Sequence, residues 1–232
     1  MIQNIDRLAL ETSEEAWPFA QIHRERIAAH WAATVAGNPT LWDGRVLGTL
    51  APRVENGVLS ARLIETSFSA FLAWRDWGYP DKDYFNMFGS AVISGSDGGY
   101  IFGVMGAHTS NAGHIYPCGG SLEPGDVAPG GTVDLWGSIA RELNEETGLR
   151  AEDAQQGGDF LSRHGQLLSV TRVFRFDAPT RDLARKIEAN IAAQDERELA
   201  GVAVLFDAGD LDPGRMPAYA LATARHLLGV QA

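Results

Sequence analysis

The apolar residues Leu135, Ile139 and Leu143 recur every fourth position, with Trp136 and Ala140 beside them. That period places one buried face on a helix running from about Thr132 to Thr147, and Gly148 then ends it. An earlier helical spacing joins Phe19, Ile22, Ile27, Trp31 and Val35. Thr12-Ser13-Glu14-Glu15 has the form of a capping box ahead of it, Pro18 suits its first turn, and Gly37-Asn38-Pro39 stops it after Ala36. Arg45 to Ala51 and Val58 to Glu65 read as strands joined by the turn Glu55-Asn56-Gly57, since Asn-Gly is a strong hairpin signal. A second helix is expected from Ser67 to Trp77, closed by Gly78-Tyr79-Pro80.

Further along, Phe88 to Ile93 and Tyr100 to Met105 form a hairpin pattern around Ser96-Asp97-Gly98-Gly99, and His114 to Pro117 a short strand. Phe160 to Phe176 is strand-like. Asp182 to Gln194 reads as a helix facing mostly solvent, and Leu199 to Phe206 as a buried strand. Met216 to Leu228 closes the chain as an amphipathic helix. The order predicts an α/β fold, an α/β/α sandwich with a mixed sheet over residues 86–232. A small α+β accessory region, helix, β-hairpin and helix, precedes it over residues 1–85. No internal repeat or low-complexity segment interrupts either part.

The polar positions of the central helix carry the candidate chemistry. Glu142, Glu145 and Glu146 are three and four residues apart, so they share one side of the helix, at the border of its buried face. Like charges so close repel one another, and Arg141 balances only part of them. A solvated acidic face is the plain alternative. An oxygen-seeking divalent cation, Mg²⁺ or Mn²⁺, would relieve the repulsion.

The nine residues from Arg141 to Leu149 resemble the distal half of the Nudix box: Arg, Glu, an apolar residue, any residue, Glu, Glu, any residue, Gly, an apolar residue. The proximal half resembles Pro117-Cys118-Gly119-Gly120 followed by Asp126, where the family has Glu. Fourteen residues, 127–140, separate Asp126 from Arg141 where the family has seven, and Ala128-Pro129-Gly130-Gly131 reads as the inserted loop. The resemblance implies hydrolysis of a nucleoside diphosphate linked to another moiety, with divalent cations neutralising the phosphates and activating water. It implies Glu142, Glu145 and Glu146 as metal ligands, the Gly120 carbonyl as a further one, and Arg141 orienting a box glutamate. Asp126 would brace Arg141. The general base would be a box glutamate or a later carboxylate, Glu196 or Glu198, for which a charged surface turn is the alternative.

Phosphate contacts are expected from His108 and His114, or from Arg163, Arg172 or Arg175, because no Arg or Lys follows Val104-Met105-Gly106. The aromatic residues of the first region, Trp42, Phe68, Phe71, Trp74 and Trp77, suit packing. Trp42 or Trp74 stacking on a nucleobase is the functional alternative. An Asn38-Pro39…Asp43-Gly44 stretch and Phe88-Gly89-Ser90-Ala91 resemble the extended branch with UDP-glucose pyrophosphatase-like members, which points to a nucleotide sugar. ADP-ribose and dinucleoside polyphosphates stay open, as does a catalytically weak domain sensing such a ligand.

Composition narrows the partners. A net charge of −11 argues against nucleic acid, which needs a basic face. No apolar run reaches the roughly 20 residues of a membrane span. Met1 to Asp6 lacks the basic and apolar regions of a signal peptide, and the single cysteine, Cys118, forms no intrachain disulfide, so a cytoplasmic protein is expected. The accessory region could instead serve as a homodimer interface.

Overall fold

The computed structural model describes residues 1–109, 111–195 and 197–230. Its organising element is β5 (Tyr84–Ser94), mostly buried along its length and unbroken across the expected border at 85/86. On one side β9 (Leu167–Arg175) runs parallel to it, from Asn86↔Leu167 to Ser94↔Arg175. The other side is shared. β3 (Arg45–Glu55) takes its start through Thr49↔Phe85 and Leu50↔Tyr84, and β6 (Tyr100–Met105) takes its end through Ile93↔Ile101 and Ser94↔Tyr100. Between those two partners the sheet splits, and the loop at 118–121 fills the gap with bridges Ala91↔Cys118 and Phe88↔Ser121.

Successive residues of a strand face opposite sides of a sheet, so β5 also identifies the layers. Phe88 meets Tyr219 of α6 (Ala218–Leu228), with ring centroids 5.1 Å apart. A Cβ on Gly89 would lie 2.5 Å from Ile139 of α4 (Leu135–Thr147), on the other face. The mixed sheet is thus covered on both faces, as the order of elements predicts. α5 (Thr180–Ala193) packs against β10 (Leu199–Leu205) and α4.

Among the described residues the sheet has ten strands, more than the sequence pattern suggests. β1 (Ile2–Asn4) pairs antiparallel with β8 (Gln155–His164), and β2 (Arg7–Ser13) lies parallel to β4 (Val58–Ser67). Thr12 and Ser13 therefore belong to a strand, and no capping box forms there. The helix begins at Pro18 and is two pieces, α1 (Pro18–Ile22) and α2 (Arg24–Gly37). The Asn56-Gly57 turn joins β3 and β4 as expected, and α3 (Phe68–Asp76) starts under a Ser67 cap that accepts from the Ala70 N–H. β7 (Ile115–Tyr116) adds to β6.

One further expectation is refined and another corrected. α5 exposes most of its residues, as expected, but carries a buried stripe of Leu183, Ala184, Ile187 and Ile191. β10 pairs only with β6 and buries only Leu199 and Leu205, so its apolar run lies at an edge. Apart from Trp42, the aromatic residues singled out in the first region join a second core: Trp17 stacks on Tyr84 at 3.7 Å, and fully buried Trp74 packs edge-on to Tyr84. No helix among the described residues is long and apolar enough to cross a membrane.

Candidate functional site

The helix α4 owes its position to local chemistry. Asp134 caps it by accepting from the Gly137 N–H at 2.9 Å, Gly148 ends it in the left-handed conformation, and Leu135, Ile139 and Leu143 are fully buried. Ahead of it, the residues in excess of the family spacing form a small closed loop. Val127 pairs with Val133, the Gly131 N–H donates to Ala128 O, and the Asp134 N–H donates to Asp126 O. The same loop adds to the edge of β2: the Thr12 N–H donates to Gly131 O and the Val133 N–H to Leu10 O. The extra residues thus leave the sheet and return, bringing Asp126 back beside the helix.

Asp126 is buried and fully engaged. It accepts from the Glu123 N–H at 2.9 Å, the Ser138 hydroxyl at 3.2 Å and Arg141 Nη1 at 2.7 Å. Short as it is, the Asp126 side chain reaches the Arg141 guanidinium, the bracing contact expected of it. Arg141 Nη2 turns toward Glu142, 3.6 Å from its Oε1.

The three glutamates differ in their surroundings. Glu146 is 6% exposed; its Oε1 accepts from the Gly119 N–H at 2.9 Å, while Oε2 is buried with no hydrogen-bond partner. Burial pushes its carboxyl up to about 8, with help from Glu142 and Glu198 and against the Gly119 hydrogen bond and the neighbouring Cys118 thiol. Glu142 is half-buried against Gly120, and burial raises it to about 7, opposed by the neighbouring Arg141. Glu145 is exposed, and its charge bears on Glu142, Glu123 and Arg141. The expected trio thus resolves into an inner pair and an outer member.

Gly119 and Gly120 let this pair meet the loop. Gly119 has φ +152, and a Cβ there would stand 2.1 Å from Gly89 O. A Cβ on Gly120 would lie 2.8 Å from the Glu142 carboxyl carbon, and the Gly120 carbonyl accepts from the Gly89 N–H at 3.3 Å. Among the described residues no three His, Cys, Asp or Glu side chains form a ready-made cation cage. The donors at hand are two desolvated carboxylates and a backbone carbonyl, an all-oxygen set that fits Mg²⁺ or Mn²⁺. The partnerless Glu146 oxygen is the atom most in need of a cation.

The loop opens onto a cleft of about 1050 Å³. Its floor holds Phe88, Tyr116 and Tyr219, and its rim His108, His114 and Glu198. A further wall, Leu41, Trp42, Phe68, Phe71, Arg75 and Tyr79, comes from the first 85 residues. Trp42 is 78% exposed there. Glu198 raises both box carboxylates, so it stands within electrostatic reach of them; Glu196 lies outside the described residues.

Several expected residues are elsewhere. Arg172 pairs with Ala91 in the sheet and so shares the α4 face with Gly89, opposite Phe88 and the cleft. There it makes a two-pronged ion pair with Asp159, at 2.8 and 2.6 Å, and lies 3.9 Å over the Trp136 ring. Arg163 sits over Phe85, and Arg175 lines a separate cavity of about 530 Å³. Trp74 is core and reaches no ligand. The arginines that do line the cleft, Arg75 and Arg197, carried no motif to mark them. Tyr219 arrives from the closing helix, whose periodicity announced burial and nothing about a site.

No known family profile matches the chain, and no curated protein does. Solved structures with related folds include Nudix proteins. The chain is 18% identical to a MutT protein from Methanosarcina mazei Go1, over 62% of this chain and 92% of that one, with a TM-score of 0.40. A Nudix hydrolase from M. smegmatis, RenU, is 12% identical over 62% of this chain and 82% of that one, TM-score 0.41. DR0079 from Deinococcus radiodurans is 15% identical over 52% of this chain, which spans 66% of that protein's length, TM-score 0.35. These likenesses are loose, and the function rests on the residues of the cleft.

Proposed function

We propose that this protein is a divalent-cation-dependent Nudix hydrolase that cleaves the diphosphate of a nucleoside diphosphate linked to another moiety, with nucleotide sugars as the leading class. The observation that carries the proposal is Glu146: a buried carboxylate with one partnerless oxygen, beside Glu142 and a glycine loop that opens onto a large cleft. A protein gains nothing for its own stability by desolvating two neighbouring carboxylates. A cation shared between them and a diphosphate supplies the missing partner.

Within this reading Glu142, Glu146 and the Gly120 carbonyl hold Mg²⁺ or Mn²⁺, with Glu145 reaching in from the outer side. When bound, such a cation neutralises phosphate oxygens and makes water a better nucleophile. Arg141, fixed by Asp126, holds Glu142 in place by its charge. Glu198 lines the same cleft and serves as proton acceptor for the attacking water. His108 and His114 line the same cleft, and in this reading they would contact phosphate or sugar oxygens.

The test is a turnover screen with Mg²⁺ and Mn²⁺ over nucleoside diphosphate sugars, ADP-ribose, NADH and dinucleoside polyphosphates, with products identified by mass spectrometry. Release of a nucleoside monophosphate from one class, abolished by chelator, is expected. A folded protein silent across the panel with both metals would overturn the proposal.

A further inference from the structure

The cleft has two unlike halves. One is polar, with Gly119, Gly120, Ser121 and Glu123 of the loop that packs on Glu142 and Glu146, and with Glu198. The other is largely apolar, with Leu41, Trp42, Phe68, Phe71 and Tyr79 from the first 85 residues beside Phe88 and Tyr219 from the rest of the chain. At about 1050 Å³ the cleft exceeds what a diphosphate alone would fill and matches the upper range of small-molecule sites. Within the apolar half Trp42 stands apart. Phe71 is 8% exposed and packs into the second core, whereas Trp42 is 78% exposed with its ring folded over Gly44.

The segment that carries Trp42 is tied down at both ends. Asn38 Nδ2 donates to His108 O at 3.1 Å, and Asn38 Oδ1 in turn accepts from the Thr40 hydroxyl at 2.6 Å, so the segment is clasped to the His108 rim. At its other end the Asp43 carboxylate accepts from the Ser69 N–H at 2.7 Å, and the Phe68 N–H donates to Gly44 O at 2.8 Å. Gly44 leaves room for the indole: a Cβ there would lie 2.5 Å from the Trp42 ring, although the Gly44 backbone is one any residue can adopt. An anchored chain thus presents a bare aromatic face in a cleft whose other half would hold phosphates.

We infer that Trp42 is the specificity element of this site, stacking on the nucleobase of the substrate, and that the first region works as the base-recognition wall of the cleft. The inference rests on the hydrolase reading for the location of the phosphates. Its occupant is a planar heterocycle, since an aromatic face stacks on any base while the adjoining side chains choose among them. Asn38 and Gly44 are positioning residues that act through the indole.

Calorimetric titration of the four common nucleoside monophosphates against ribose 5-phosphate tests this without requiring turnover. At least one nucleotide is expected to bind about tenfold or more tighter than ribose 5-phosphate, the size of a lost stacking contact. Trp42→Ala is expected to erase that difference, Trp42→Phe to keep most of it, and Gly44→Ala to weaken it by displacing the ring, with unchanged circular dichroism in each. Equal binding of all nucleotides and ribose 5-phosphate, or wild-type affinity in Trp42→Ala, would overturn the inference. Turnover run in parallel separates the two readings. An active enzyme indifferent to Trp42→Ala sinks the stacking alone, and base-selective binding without turnover sinks the hydrolase reading alone.

Discussion

Replacing Glu146 by Gln should make the metal-free protein more stable while it destroys activity. Glu146 is held at about 8, against an ordinary value of 4.5, chiefly by burial. Between those values the folded chain keeps a proton that the unfolded chain has lost. Stability therefore falls as pH rises through that window, and the full penalty is present above about pH 8. The distance from 4.5 to about 8 sets an upper bound of about 5 kcal/mol, reduced by any water that enters. Part of it belongs to repulsion by Glu142 and Glu198 and would vanish with the charge. Gln keeps an oxygen for the Gly119 N–H but cannot ionise. Urea unfolding in chelator should show wild type and variant within about 1 kcal/mol at pH 5, and the variant more stable by about 2–5 kcal/mol at pH 9. Excess Mg²⁺ should recover about 2–3 kcal/mol for wild type at the high pH, and little for the variant. Turnover of Glu146→Gln should fall by about two orders of magnitude or more. A constant difference from pH 5 to 9 would refute the desolvation argument, and unchanged turnover would remove Glu146 from the site.

Two further outcomes follow from the geometry. Asp126→Asn keeps the shape but removes the charge that Arg141 and two other donors share, so a loss of about 3–5 kcal/mol in chemical unfolding is expected, with kcat lowered through a misplaced Glu142; full stability would mean that the brace is dispensable. Arg172→Ala should lower stability by exposing Asp159 and uncovering Trp136, yet leave KM unchanged, and a rise in KM would return Arg172 to the substrate.

The parts of this fold that were legible in the sequence are those decided locally. The Leu135–Ile139–Leu143 period, the Gly148 stop and the Asn56-Gly57 turn each act within a few residues, and each lies where the pattern put it. β1 and β2 were not, because their partners are distant: β1 pairs with Phe160 to Ser162, and β2 with β4 and the loop at Thr132. The Thr-Ser-Glu-Glu stretch offered a plausible local cap, and long-range pairing outweighed it. At the site, the box glutamates were readable as a group, but their division into a buried pair and an exposed member follows from the split in the sheet. The Arg172 expectation failed on parity. A strand gives a side chain to one face or the other, and sequence alone did not say which face held the cleft.

The pairing of Ile2 with Ser162 sets the order in which this chain can be completed. During synthesis the first strand emerges long before its partner, and β5 waits for β9 on its parallel side. The early helix–hairpin–helix segment can collapse around Trp17 and Trp74, but Tyr84, on which both pack, belongs to the strand that awaits the later sheet. Contacts this distant along the chain slow folding and leave β-edges bare in the meantime. Trp17 and Trp74 should therefore settle fully onto Tyr84, and the loop at 118–121 into its gap beside β5, only once the chain up to residue 175 has been made.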